Sequence, residues 1–125
     1  MSQYFQTGDR ILWNPATTVA QVFLHAAESF ARLADRPSGL GPMIADECEI
    51  DMPTFAEFTD SLISQYGRSD HVILRALTEG FIATAMAMVE RAGGQLPAAQ
   101  SRSKNPALTA LQDLSRRIEK AMPAG

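Results

Sequence analysis

Several groups of residues in this chain are of the types that do chemistry. The densest is Asp46-Glu47-Cys48-Glu49-Ile50-Asp51. Clustered carboxylates hold hard cations such as Ca²⁺ or Mg²⁺ through oxygen. This run lacks the DxDxDG order and the following glutamate of an EF-hand loop, and in an extended strand Glu47, Glu49 and Asp51 point outward together. The expectation is an acidic strand edge in which Asp46, Glu47, Glu49 and Asp51 face solvent, a basic protein partner or the basic C-terminal segment, with no metal bound. Cys48 sits among the acids, whose field raises a thiol pKa and suppresses the reactive thiolate, so it reads as a small buried apolar group.

The two histidines are weaker candidates. His25 and Glu28 stand three residues apart on a helical segment, a geometry open to metal binding or proton transfer, but they share the polar side with Gln21 and Arg32. His71 follows Asp70, a carboxylate able to orient a general base, and equally begins a helix beside its cap. Gly39-Leu40-Gly41 is followed by neither GK[ST] nor a G-x-G-x-x-G frame, which removes a phosphate loop. Glu79 has Arg75 one turn earlier as an ion-pair partner. No catalytic residues, metal ligands or cofactor site emerge.

The elements that must position these groups follow from patterning. Of 125 residues, 46% are hydrophobic and 20% charged, the composition of one globular domain rather than a disordered chain. A net charge of -3 disfavours general binding to nucleic acid or to anionic lipid. A single cysteine excludes an internal disulfide. No signal-like segment opens the chain and no run reaches the ~18 uncharged apolar residues of a membrane span, so a cytoplasmic address is expected.

Tyr4 to Trp13 reads as a small hairpin turning at Gly8-Asp9, with Phe5 opposite Leu12 and Tyr4 opposite Trp13. Asn14-Pro15 opens a first helix whose apolar face carries Val19, Val22, Phe23, Ala26, Phe30 and Leu33. The Pro- and Gly-rich stretch from Arg36 to Pro42 reads as a turn series. Asp51 caps a second helix, with Phe55, Phe58, Leu62, Ile63 and Tyr66 inward and Gly67 as its stop. A third helix, His71 to Ala92, is capped by Ser69-Asp70 and apolar over about half its circumference. Along it, Ala76, Gly80, Ala83 and Ala87 form a ridge of small side chains suited to a close helix crossing. Residues 95–104 are polar and read as a mobile linker. A fourth, amphipathic helix over 105–123 presents Leu108, Leu111, Leu114 and Ile118.

The expected fold is mainly α: a compact core of three helices with an N-terminal β-hairpin over residues 1–94, the linker 95–104, and the C-terminal helix 105–123. From Pro37 to Gly67 there are six acids and no Lys or Arg, whereas Arg91 to Lys120 holds six basic residues and two acids, an asymmetry that invites contact between the segments.

Trp13-Asn14-Pro15, Ser38-Gly39-Leu40-Gly41-Pro42-Met43, Asp46 to Asp51 and Leu77-Thr78-Glu79-Gly80-Phe81 together resemble a small actinobacterial family of unknown function, over about residues 3–94. The resemblance implies no activity.

Charge clustering without catalytic geometry makes the leading functional expectation a non-enzymatic protein-interaction module, an acidic accessory, regulatory or immunity-type protein. The competing expectation is a small enzyme or small-molecule binder whose pocket, between hairpin and helices, is lined by Trp13, Tyr66 and His71. The third is a homo-oligomeric scaffold. A homodimer is expected to form through Ala76, Gly80, Ala83 and Ala87, with Leu108, Leu111, Leu114 and Ile118 of the fourth helix exchanged or packed alongside.

Overall fold

A computed structural model describes residues 1–100 and 105–124. Strands β1 (Tyr4–Thr7) and β2 (Arg10–Trp13) come first, followed by helix α1 (Thr17–Ala34). A second strand pair, β3 (Leu40–Ile44) and β4 (Glu47–Ile50), precedes helices α2 (Met52–Arg68), α3 (Val72–Arg91) and α4 (Pro106–Lys120). The strands form one sheet ordered β2-β1-β4-β3, in which β1 and β4 run parallel and the other neighbours antiparallel.

This is an α+β fold, which corrects the mainly α expectation. The element missed is β3, hidden by its own composition. Its Pro42 is tolerated because β3 is an edge strand, where a missing N–H costs no ladder bond. Its glycines serve close approach: a Cβ at Gly41 would stand 2.8 Å from the Glu49 carbonyl oxygen. Just before it, Gly39, at φ +83, would meet Phe55 N at 2.7 Å. The β3–β4 turn is Ala45-Asp46, both at positive φ, a type I′ geometry usually marked by Asn-Gly and here unmarked.

The same topology moves β4 from the edge to the interior, between β1 and β3. Its alternation is as expected: Cys48 and Ile50 are buried, Glu47 and Glu49 exposed.

The first hairpin turns at Gly8, φ +62, but its register is shifted, with Phe5 opposite Trp13 and Gln6 opposite Ile11. Leu12 is the extra residue, and the irregularity lets two consecutive side chains, Leu12 and Trp13, both enter the core. Trp13 stacks on Phe5 at 5.4 Å, meets Phe23 edge-on at 5.3 Å, and Phe23 stacks on Phe81 at 4.8 Å. These contacts tie the sheet to α1 and α3.

Helix α1 starts at Thr17 with no side-chain cap, rather than at Asn14-Pro15. Residues before it are held extended by the chain's beginning: Gln3 N donates to the Pro15 carbonyl and Thr17 N to that of Met1. Asn14 N donates to the Pro123 carbonyl at 2.6 Å. Helix α2 starts as expected, with the Asp51 carboxylate accepting from Thr54 N. Helix α3 is capped not by Asp70 but by His71, whose Nδ1 accepts from Leu74 N, while Ser69 Oγ accepts from His71 N.

Helix α4 packs on α3 of its own chain and buries Leu111 and Ser115. Residues 101–104 of the expected linker lie outside the described residues. Its described part packs down: Leu96 is buried, and Ala98 N donates to Asp60 Oδ1 at 2.8 Å.

Candidate functional site

Helix α3 carries apolar residues on nearly every side, yet only its second half has neighbours for them. From Ile82 to Val89 every residue except Thr84 is buried. From Val72 to Gly80 only Thr78 is buried. Val72, Ile73 and Leu77 stand 74, 62 and 73% exposed. Beside them on α1 lie Val19, Val22 and Leu33, each about half exposed or more.

The two helices present one surface. At 100° per residue, Ile73, Ala76, Leu77, Gly80 and Thr84 share a side of α3, and Val19, Val22, Ala26 and Leu33 share a side of α1. Between them runs an open apolar groove of about 230 Å³, lined by Val19, Val22, Ala26, Gly80, Phe81 and Thr84, with Trp13 and Phe23 at its floor. No residue in this lining is charged. Covering a fully exposed Val, Leu or Ile side chain is worth about 1.5–3 kcal/mol, so the face is a reservoir of binding energy. Mid-helix glycine at position 80 costs ~1 kcal/mol relative to alanine. Among the described residues nothing calls for it, since a Cβ there would meet no atom within 4 Å.

The ridge of small residues is therefore divided. Ala83 and Ala87 are buried, and Ser115 Oγ on α4 donates to the Ala83 carbonyl at 2.9 Å, so the close crossing expected there is made with α4 of the same chain. Ala76 and Gly80 remain open. The apolar side of α4 is occupied within the chain: Leu111 is buried, while Leu108, Leu114 and Ile118 are half-buried against the core. Arg91 locks this arrangement, donating to Leu12 O at 2.7 Å, Glu119 O at 2.8 Å, Met122 O at 2.7 Å and Glu119 Oε1 at 3.1 Å.

The four acids are mostly engaged inside the chain. Glu49 accepts from Gly8 N at 2.6 Å and from Gln6 Nε2, Asp51 caps α2, and Asp46 occupies the I′ turn and accepts from Gln3 Nε2. Glu47 is exposed on the outer face of β4. Among the described residues the salt bridges are Arg91–Glu119 and Arg116–Asp113, neither of which joins the acidic and basic segments. Cys48 is fully buried, its thiol donating to the Gly41 carbonyl at 3.3 Å. Burial, more than the nearby Glu49 charge, pushes its pKa up to about 11.

Trp13, Tyr66 and His71 are not brought together. Trp13 lies under the α1–α3 groove, His71 is an exposed cap, and Tyr66 lines a different cavity between α2 and α3. That cavity is apolar and about 50 Å³, far below the ~300–1,000 Å³ of ordinary ligand pockets. At its rim Arg75 lies over the Tyr66 ring at 5.6 Å and Tyr66 OH donates to Glu79 at 3.4 Å, so the ring mediates what was expected as a direct Arg75–Glu79 pair. Burial and the Glu79 carboxylate raise the Tyr66 pKa. His25 and Glu28 flank a shallow polar groove with Ser38 and Gly41. Among the described residues no three His, Cys, Asp or Glu side chains are grouped to hold a metal ion.

The profile of a family of unknown function, DUF6086, matches residues 1–124. The chain belongs to that family. The match bears out the resemblance to a family of unknown function and extends it from about residue 94 through α4, in keeping with the packing of α4 into the shared core. No curated protein and no solved structure matches the chain.

Of the exposed α1–α3 face, sequence reasoning singled out Ala76 and Gly80 and missed the large side chains Val19, Val22, Leu33, Ile73 and Leu77 around them. Its signal is present in excess. The apolar arc of the third helix is wider than a surface helix needs, and the first helix carries two stripes, Val19-Val22-Ala26-Leu33 beside Ala20-Phe23-Ala27. A stripe says that burial is wanted, not which neighbour supplies it.

Proposed function

We propose that this protein is a non-enzymatic interaction module that docks a protein partner on the apolar α1–α3 face. The observation that carries this reading is Ile73 and Leu77, large apolar side chains more than half exposed, flanking an uncharged groove with Gly80 on its rim. Large uncovered apolar patches of this kind mark interaction surfaces. By length and composition α3 would also cross a membrane, but 44% of its apolar window is buried in the fold, and Arg75 and Glu79 interrupt its outer half. A helix whose second half is sealed under α4 and the sheet serves as a core element.

In this reading the acids play mainly a structural part, as cap, turn and strand clamp, with Glu47 left to influence the approach of a charged partner. A photoreactive phenylalanine analogue placed at Leu77 or at Val22, in the full chain inside its native cells, tests the proposal. Cross-linked protein adducts are expected at both positions and not at Thr109, an exposed site on α4. Adducts absent at both positions, or equal at all three, would overturn the reading.

A further inference from the structure

We infer that the partner on this face is a second copy of the chain, docked α3 against α3 in antiparallel fashion about a twofold axis. The inference rests on the reading of the α1–α3 face as an interaction surface and specifies its occupant.

A twofold interface must be self-complementary: each copy has to supply both the projection and the recess that receives it. This face supplies both on one stripe. Ile73 and Leu77 project, 62 and 73% exposed, while Ala76 and Gly80 recede, and at Gly80 the recess widens into the 230 Å³ groove. With the axis passing between Ala76 and Leu77, each Ile73 lies opposite Gly80 of the partner subunit. Each Leu77 then lies opposite Ala76 of the partner subunit. Large meets small at every level, and the large residue opposite the groove is the one the groove can admit. Two parallel copies in register would instead set Leu77 against Leu77 and leave both grooves empty.

Size and charge agree. The five exposed Val, Leu and Ile side chains of this face, Val19, Val22, Leu33, Ile73 and Leu77, present on the order of 400 Å² of apolar surface. One side of a standard interface covers ~800 Å², of which somewhat over half is apolar, so the face matches what a stable dimer needs. The groove lining carries no charge, so it selects neither an acidic nor a basic partner and imposes no repulsion between identical copies. Gly80 also acquires a reason: the fold itself leaves open space there, and the backbone approach of a second α3 does not.

Sedimentation equilibrium of the full chain, from about 1 to about 100 µM, tests this. A dimer is expected. Gly80→Leu and Leu77→Glu are each expected to raise its dissociation constant at least ~10-fold. Neither should lower the melting temperature of the dilute protein, since both positions face solvent in the single chain. Thr109→Glu should leave the dimer unchanged. The register is read by the double variant Ile73→Cys with Gly80→Cys, which should form an interchain disulfide on mild oxidation, whereas neither single variant should.

A monomer at every concentration overturns the inference, and it leaves the interaction reading standing if the Leu77 photo-adduct contains a different protein. A dimer indifferent to Gly80→Leu and Leu77→Glu overturns it by placing the contact elsewhere. A monomer that pellets with phosphatidylcholine vesicles overturns it in favour of a lipid surface. A dimer weakened by both substitutions but without the Ile73–Gly80 cross-link overturns the antiparallel register.

Discussion

The two halves of α3 are both rich in apolar residues and have opposite environments. Val72 to Gly80 contains Val, Ile, two Leu, Ala and Gly beside Arg75, Thr78 and Glu79; Ile82 to Val89 contains Ile, Val, two Met and three Ala beside Thr84. The second half is buried among the neighbouring elements, whereas the first is covered only along the side of Thr78, leaving Val72, Ile73 and Leu77 in water. Hydrophobicity along the helix therefore does not determine burial. What differs is the presence of a neighbour, and α4, the neighbour that seals the small-residue ridge, reaches Ala83 and Ala87 but not Ala76 and Gly80.

The contrast can be broken most sharply at Arg91, which closes the sealed end with four hydrogen bonds to β2, α4 and Met122 beyond it. Arg91→Ala leaves three carbonyl oxygens and a carboxylate without this donor, and a loss of about 3–5 kcal/mol in urea unfolding is expected. A loss near zero would mean that α4 is held by apolar packing alone.

The sealed interior also has a pH signature at Cys48. Its folded pKa, about 11, lies above the ordinary 9.0, so the folded state holds its proton more tightly than the unfolded chain. This contribution is fully present below about pH 9 and is lost as pH rises toward about 11, amounting to ~2–3 kcal/mol. Unfolding free energies of the native chain and Cys48→Ala, measured from pH 8 to pH 11, should converge by that amount. Parallel curves would show the thiol to be open to water.

Within the ridge, Ala83→Leu forces a branched side chain against α4 and is expected to destabilise by ~1–3 kcal/mol. The same unfolding measurement on Ala76→Leu, at dilution, should show almost no change. The smallest effect is a gain. Gly80→Ala places a methyl group in open space and should stabilise the dilute protein by up to ~1 kcal/mol. A loss there would mean that the first half of α3 is covered within the chain.

Much of the local structure is legible in the order of the residues. The Asp51 cap, the inward face of α2 and the amphipathic α4 behind Asn105-Pro106 all rest on contacts within a few residues. The cap of α3 shifts by one residue to His71 because an imidazole nitrogen accepts an N–H as a carboxylate does. The sheet is largely illegible. The parallel partner of β4 is β1, some forty residues away, and β3 carries glycine and proline, the residues that in isolation signal turns. Among the site residues, Asp46, Glu49 and Asp51 are visible as acids, but their structural employment is not, since two of their donors, Gln3 and Gly8, lie at the other end of the sheet's connectivity.

By itself, the sequence determined that four helices form, which side of each is apolar, and that Cys48 and Ile50 turn inward while Glu47 and Glu49 turn outward. These follow from periodicity and capping, which are properties of neighbours along the chain. Only the tertiary structure decided which apolar stripe would be covered. Burial is a relation between elements: α4 lies on Ala83 through Ser115, but its first turn leans on α2, with Leu108 and Asn105 at Gly67, and so leaves Ile73, Leu77 and Gly80 of α3 facing water.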